Sequence, residues 1–367
     1  MSFREAPAEG RLSLVDSIRA FDKRWQRRLR PDTRRVLVDC RTAMNYATLA
    51  PVVECLQRDS RIDFFFTASE DPGRASAIYS EVPRPIQIVS PIAASLGRFD
   101  AYLAADFLWV TLPRGTRRVQ TFHGVAGKYR DIYDSPSQSM RGWDRLYFIN
   151  THRLQHFIMS GAIDENSSAA CLIGMPKLDC LVDGSLTRES VLTSLGIDPS
   201  RKTVLYAPTW SPYSSLSDMG EELVENLGAA GYVVIAKLHD RSRESRYINS
   251  GGTDWGARLE PILRKYGGVL ASASDCSKYL PGADVLITDH SSVGFEYLLL
   301  DRPVIRIELP KLIAKTNIEP RYVELLAEAS ITTRNVKDTV AAVERSIAES
   351  HLKSNSRRAV VSRLCAM

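Results

Sequence analysis

One stretch, Asp284 to Leu309 (DVLITDHSSVGFEYLLLDRPVIRIEL), constrains the fold of this chain more than any other. Val285 to Thr288 is a short apolar run of the kind that forms a parallel strand buried on both faces. Asp289, His290, Ser291 and Ser292 then make a polar turn, and a serine there predicts an N-cap for a helix over about Val293 to Leu300. Asp301-Arg302-Pro303 ends that helix, because the residue before a proline is pushed out of the helical region, and Val304 to Ile307 reads as the next strand. A strand that passes through a serine pair into a helix leaves unpaired backbone N–H groups at the strand's carboxyl end. Such a helix start favours an anion, phosphate above all. An ordinary capped helix of an α/β domain has the same pattern, so the chemistry needs support from elsewhere in the chain.

The rest of the chain repeats this alternation. Val36 to Asp39 reads as a strand, Met44 to Gln57 as a helix and Ile62 to Thr67 as a second strand. Ile86 to Val89, Ala101 to Ala104, Val119 to Phe122, Leu146 to Ile149 and Ala170 to Ile173 are further strand candidates. A composition shift near Val182 to Ser200 precedes a second series: Thr203 to Tyr206, Tyr232 to Lys237, Gly268 to Leu270, Val285 to Thr288 and Val304 to Ile307. Val336 to Cys365 reads as helical and polar. The pattern predicts an α/β chain of two Rossmann-like, doubly wound parallel-sheet domains facing a cleft. The expected division is a basic amphipathic segment over 1–30, one Rossmann-like domain over 31–182, a second over 183–340 and a helical tail over 341–367. No GxGxxG follows the first strand, where the turn is Cys40-Arg41-Thr42-Ala43, which argues against a nicotinamide or flavin site.

At 367 residues the chain is long enough for two cores. No run approaches the roughly 18 apolar residues of a membrane span, and the N-terminus lacks the apolar core of a secretory signal. Six scattered cysteines with no CxxC pair predict reduced thiols in a cytoplasmic chain and argue against a disulfide frame or a zinc site. Residues 19 to 35 hold eight Lys or Arg against Asp22 and Asp32, a local excess of 8 − 2 = +6 in a chain whose net charge is +5. The basic character therefore belongs to one segment. Within it Leu14, Ile18, Phe21, Trp25 and Leu29 fall on one helical face, with the arginines largely opposite. A helix of this kind over residues 12–30 fits an anionic membrane surface, which makes the chain peripheral on the inner face of the membrane. It equally fits a helix packed on its own domain with a solvated basic rim. Nucleic acid is not indicated, since no aromatic-basic module or recognition helix appears elsewhere.

Polar residues stand just after several apolar strands: His123 after VQTF, Thr209 and Trp210 after VLYAP, His239 after VVIAKL and Asp289 after VLIT. Ligands of open α/β sheets sit outside the carboxyl ends of strands, so all of these are expected to face one crevice. Histidine, with an ordinary pKa near 6.5, suits proton transfer at neutral pH.

Five motifs occur in order: Thr121-Phe122-His123-Gly124 with Lys128; Gly174 to Asp179 (GMPKLD); Leu205 to Trp210 (LYAPTW); Lys237-Leu238-His239; and Leu286 to Phe295 (LITDHSSVGF). Over roughly Val119 to Leu309 they make the chain resemble the CDP-glycerol glycerophosphotransferase family, the enzymes of teichoic-acid priming and polymerisation. The resemblance implies a fold of the GT-B type and transfer of a glycerol-phosphate unit from a CDP-activated donor to a lipid-linked or glycan acceptor, with release of CMP. It implies CDP-glycerol as donor substrate and no cofactor, names no metal-ligand residue, and leaves a divalent metal requirement open. By position in the motifs, His123 is the general base on the acceptor hydroxyl, and His239 contacts the diphosphate or assists the leaving group. Ser291 and Ser292 cradle phosphate beside Gly124, Lys128 and Lys237 add positive charge, and Thr209 and Trp210 border the nucleotide. Asp289 and Glu296 are orienting residues or contacts to the donor's hydroxyls.

The chain departs from the family where His239-Asp240 replaces His-Pro, His290 replaces Tyr, Lys177 replaces Arg, and Arg306-Ile307 replaces an aromatic pair. Asp240 beside a diphosphate site calls for pairing with Arg241 or Arg243. These changes keep open another CDP-polyol, a UDP- or GDP-sugar glycosyltransferase or epimerase, and a non-catalytic nucleotide-binding subunit. His152 and His156, at i and i+4, have metal-ligand spacing without a third ligand. Asn166-Ser167-Ser168 has the spacing of a glycosylation acceptor, which has no use in a cytoplasmic chain. No GxSxG elbow and no GK[ST] phosphate loop is present.

Overall fold

The computed structural model describes residues 18, 19, 22, 25, 28, 30–82, 86–113, 115–125, 128, 142–243, 245 and 250–365. Most of the expected basic helix over 12–30 lies outside these residues. Among them, twelve strands form two six-stranded sheets. The first has the order β2-β1-β3-β4-β5-β6, from β1 (Arg34–Asp39), β2 (Ile62–Thr67), β3 (Ala101–Ala105), β4 (Arg117–Thr121), β5 (Arg145–Phe148) and β6 (Ala170–Leu172). The second has the order β12-β11-β10-β7-β8-β9, from β7 (Thr203–Tyr206), β8 (Val233–Ala236), β9 (Val269–Leu270), β10 (Val285–Thr288), β11 (Val304–Ile307) and β12 (Ile331–Thr333). The pairings are parallel, with Val36 opposite Phe64 and Ala101, and Leu286 opposite Val304 and Leu205. Strands β7, β8, β10 and β11 are buried along their whole length, which is why they read as continuous apolar runs.

The chain separates into two compact units. One is Met1–Thr121 with Gly142–Leu146, and its core gathers Val36, Val38, Tyr46, Leu49, Val53, Phe64, Phe66 and Tyr79. The other is Phe122–Arg141 with Tyr147–Met367. Its core is the second sheet with Leu223 and Leu227, Leu259 and Leu263, and Phe295, Tyr322 and Leu326 from the helices that flank it. Each such side chain, fully buried, contributes about 1.5–3 kcal/mol.

Two local expectations are corrected and one strand, β12, was not expected. Ile86 to Val89 forms no strand but a single bridge, Phe66 to Ile88, because Ser90 caps a helix that opens at Pro91. Strand β12 is too short, at three residues, for its alternation to show in the sequence. Ser292 does not cap the helix after β10 with its side chain. It already has helical dihedrals (φ −62°, ψ −21°), whereas a capping serine is extended. That helix runs Val293–Tyr297, tightens into a 3₁₀ turn at Leu298–Leu300 and stops at Asp301, which takes the left-handed conformation.

Candidate active site

The order of the second sheet reverses between β10 and β7, and a doubly wound sheet holds its ligand beyond the carboxyl ends of such a strand pair. Asp289, the first residue after β10, is fully buried there. Its carboxylate accepts the backbone N–H of Thr209 (2.8 Å), Ser215 (3.1 Å) and His290 (2.7 Å), and the Ser215 hydroxyl (3.1 Å). Four bonds fill the acceptor capacity of the two oxygens. Of the two expected roles, the geometry gives Asp289 the orienting one: it ties the turn after β7 to the turn after β10. Thr288 adds a second tie, its hydroxyl donating to the Ala207 carbonyl (2.7 Å).

On this floor Thr209 accepts a hydrogen bond from the Lys128 ammonium (2.7 Å). Burial pulls the Lys128 pKa down to about 8, against the opposing pull of Asp289. Main-chain bonding of Lys128 to Glu319 (2.9 Å) anchors it.

His123 and Gly124 follow β4. Phe122 packs on Phe148 and Phe157 (ring centroids 4.8 and 5.3 Å), and Asn150 donates to the Val125 carbonyl (2.8 Å), so the turn is held on both sides. Gly124 has φ +80°, which favours glycine, and a Cβ there would lie 3.9 Å from the Ser292 Cβ. A side chain at Gly124 would therefore just touch Ser292. His123 is exposed, and its charge bears on both His239 and Glu296. Ser291 and Ser292 are half-buried, and among the described residues no hydrogen bond takes up their N–H groups or hydroxyls.

His239 caps the short turn Asp240–Ser242, its Nδ1 accepting the Arg241 N–H (3.1 Å). An Nδ1 that accepts carries no proton, so the neutral ring has its N–H at Nε2. Burial first, then Lys237, Arg241, His123 and Lys128, push its pKa down to about 3. His239 is therefore a neutral donor at physiological pH. Its ring lies 5.7 Å from Trp210, and the Arg241 guanidinium sits over the Trp210 ring at 4.6 Å. Asp240 forms no ion pair among the described residues, and Arg241 takes the tryptophan face instead. Lys237 is buried, bonds the Leu238 carbonyl (2.7 Å) and has its pKa lowered by burial.

Glu296 joins a buried cluster that local sequence does not reveal. Lys177 Nζ lies 2.8 Å from Glu296 Oε1 and 3.9 Å from Asp275 Oδ1. Burial raises the Glu296 pKa, because one ammonium shared with Asp275 only partly offsets it. Burial works to lower the Lys177 pKa, but the two carboxylates outweigh it and hold the amine charged. A second unanticipated pair is His290 and Arg306. His290 is fully buried with neither ring nitrogen hydrogen-bonded, and burial, then Arg306 and Lys128, push its pKa to about 3. Arg306 reaches Thr332 (3.1 Å) and Glu308 (3.5 Å) through Nη2, while Nε and Nη1 make no hydrogen bond. His152 and His156 face each other at 4.7 Å, and among the described residues no group of three His, Cys, Asp or Glu is placed to hold a metal ion.

The family model described as CDP-Glycerol:Poly(glycerophosphate) glycerophosphotransferase matches residues 99–367. A teichoic acid poly(glycerol phosphate) polymerase of Bacillus spizizenii is 24% identical over 220 residues, 54% of this chain and 53% of that protein. A teichoic acid glycerol-phosphate primase of the same organism is 24% identical over 184 residues, 48% of this chain and 42% of that one. The chain spans about half the length, or less, of the curated relatives it matches. Among solved structures, the wall teichoic acid polymerase TagF aligns with a TM-score of 0.66 at 17% identity, over 97% of this chain and 90% of that one. The UDP-GlcNAc 2-epimerase of Methanocaldococcus jannaschii aligns at 0.54 and 14% identity, over 90% and 99%. At these identities the two structures share the fold with this chain.

Proposed function

The chain belongs to the CDP-glycerol:poly(glycerophosphate) glycerophosphotransferase family, and on that premise we propose that it transfers glycerol phosphate from CDP-glycerol to a hydroxyl of a polyol-phosphate or lipid-linked acceptor. The acceptor oxygen attacks the phosphorus that bears glycerol, a new phosphodiester forms, and the bond to CMP breaks. CMP leaves with the bridging oxygen. Such a transfer asks the protein chiefly for positioning and charge neutralisation, and the donor brings its own leaving group, so the reading requires no resident organic cofactor.

The observation that carries the reading is the set of groups around the Asp289-braced turns: Gly124 beside Ser292, Lys128 on Thr209, and a neutral Nε2–H on His239. In this reading the N–H groups and hydroxyls of Ser291 and Ser292 receive the phosphates, with charge from Lys128 and Lys237. His239 donates to the diphosphate and does not need protonation to do so. His123, exposed after β4, takes the proton of the acceptor hydroxyl. Trp210, backed by Arg241, borders the nucleotide, and Glu296 orients His123 through its charge.

The family match supports this reading over a nucleotide-sugar enzyme. A thermal-shift panel of CDP-glycerol, CDP, UDP-sugars and GDP-sugars tests the donor, with the largest rise expected for CDP-glycerol. His123→Ala is expected to lose at least about a hundredfold in rate. Full activity in that variant removes the base role.

The reading extends to a membrane contact through residues 12–30. Among those described, Arg19 bonds the Ser95 carbonyl (2.6 Å) and Asp22 accepts from Arg35 (2.7 Å) and from the Arg98 N–H (3.0 Å). Ile18 and Trp25 stay 44% and 56% exposed. Arg19 and Asp22 bond the protein body while Ile18, Trp25 and Arg28 are exposed, an arrangement that suits an interfacial helix. No helix among the described residues is long and apolar enough to cross a membrane. Deleting residues 1–30 is expected to abolish sedimentation with anionic vesicles, and unchanged sedimentation places the contact elsewhere.

A further inference from the structure

The motif Gly174 to Asp179 (GMPKLD) has no part in the reaction described so far, yet it carries a fully enclosed lysine. Pro176 opens a 3₁₀ turn over Pro176–Leu181, and the Ser277 hydroxyl donates to the Lys177 carbonyl (3.4 Å), which fixes the lysine at its main chain. Its ammonium meets Glu296 Oε1 at 2.8 Å and Asp275 Oδ1 at 3.9 Å. Asp275 is already engaged, accepting the N–H (2.9 Å) and the hydroxyl (2.6 Å) of Ser277. Glu296 is therefore the first partner of the ammonium, and it uses one oxygen only. Its Oε2 is buried and makes no hydrogen bond.

The helix places that oxygen. Glu296 lies four residues after Ser292, with its N–H on the Ser292 carbonyl (3.4 Å). Residues at this spacing share a helix face, and helical side chains lean toward the N-terminus, so Glu296 reaches back toward Ser292. A Cβ on Gly124 would lie 3.9 Å from the Ser292 Cβ, which brings the residue next to His123 against the same serine. In agreement, the charge of His123 acts on Glu296.

Stability does not account for the pair. A buried ion pair is commonly no better for folding than two well-packed apolar side chains, and an unmade bond on a buried carboxylate oxygen works against folding. Burial favours the neutral acid at Glu296, and Lys177 opposes it by charge and by hydrogen bond. The lysine thus keeps an acceptor in place that the folded chain itself leaves half used.

We infer that Lys177 is a positioning residue of the transfer reaction, holding Glu296 as a carboxylate whose second oxygen receives the imidazole N–H of His123. The inference rests on the glycerophosphotransferase reading above. As His123 takes the proton of the acceptor hydroxyl, the acceptor oxygen attacks phosphorus and CMP leaves. Glu296 stays ionised throughout and gives the imidazolium its counter-charge.

Variants of the full chain are compared by urea unfolding, CDP-glycerol calorimetry, CMP release and the His123 imidazole signal in ¹H–¹⁵N NMR, assigned by its loss in His123→Gln. Lys177→Met/Glu296→Leu removes both charges and leaves neither unpaired. It is expected to fold, to bind CDP-glycerol within about threefold of wild type, and to lose at least about tenfold in kcat with little change in acceptor KM. Glu296→Gln, which keeps the shape, is expected to show the same kinetic loss and a displaced His123 signal, and it carries the test if the double variant does not fold. Lys177→Arg keeps the charge and should stay within about threefold of wild-type kcat. A folded double variant with wild-type kcat overturns the inference and leaves the pair a packing element. One that keeps kcat and loses CDP-glycerol affinity gives Oε2 to a donor hydroxyl, which overturns it as well. If wild type releases no CMP from CDP-glycerol, the transferase reading fails by itself and the NMR signal decides: displaced by Glu296→Gln and not by Lys177→Arg, it supports the link from Lys177 through Glu296 to His123; unmoved by both, it refutes that link.

Discussion

Replacing Lys177 with methionine removes the ammonium from the buried cluster of Lys177, Glu296 and Asp275. Lys177 and Glu296 are 5% and 3% exposed and 2.8 Å apart, so the carboxylate is left without a counter-charge and without water. Breaking a buried pair from one side costs about 3–5 kcal/mol. Methionine keeps most of the lysine volume, so little of this is cavity. At about 2–4 °C per kcal/mol for a unit of this size, Tm should fall by about 6–20 °C at neutral pH. The deficit depends on pH in a set direction. Burial already raises the Glu296 pKa above 4.5, and loss of Lys177 raises it further. A carboxyl raised in this way binds more protons folded than unfolded; its contribution is present below 4.5 and is lost as pH climbs through the raised value. The variant therefore comes closest to wild type near about pH 4 and falls furthest behind near about pH 7. Urea unfolding across that range measures the difference, and Lys177→Met with Glu296→Leu should recover most of it. A single variant within about 1 kcal/mol of wild type at neutral pH, or a deficit that grows on acidification, refutes the buried-pair account.

Lys128, with its pKa near about 8, keeps its ammonium below that pH and loses it above. CDP-glycerol affinity is expected to hold up to about pH 7 and to decline above about pH 8, and Lys128→Arg, charged throughout, should remove that alkaline limb in a titration series. A Cβ at Gly268 would lie 2.5 Å from the Val234 carbonyl oxygen, a main-chain atom of the buried β8 that cannot swing aside. Gly268→Ala should cost about 1–3 kcal/mol in chemical denaturation.

Much of the fold was legible because fully buried parallel strands leave unbroken apolar runs. Val285 to Thr288 and Val304 to Ile307 are read to the residue for that reason. Ile86 to Val89 has the composition of a strand but meets β2 at one bridge, since the chain turns into a proline-led helix. Ile331 to Thr333 carries too few residues to signal anything. The candidate site follows a related logic: Thr209, His239 and Asp289 come after β7, β8 and β10 of the second sheet, whereas His123 comes after β4 of the first. The burial of Asp289 was not legible, nor was its use as a brace between two turns. The Lys177–Glu296 pair spans 119 residues, and Arg306 with His290 depends on neighbouring strands. Pairings of that kind are written in the packing and leave no local pattern.

The central claim is tested most directly by incubating the purified chain with CDP-glycerol and a poly(glycerol phosphate) acceptor and counting products. The account predicts one CMP released for each phosphodiester formed, and no release of UDP when UDP-N-acetylglucosamine replaces the donor. Binding of CDP-glycerol with no CMP released to any polyol-phosphate or lipid-linked acceptor, or turnover of the UDP-sugar instead, contradicts it.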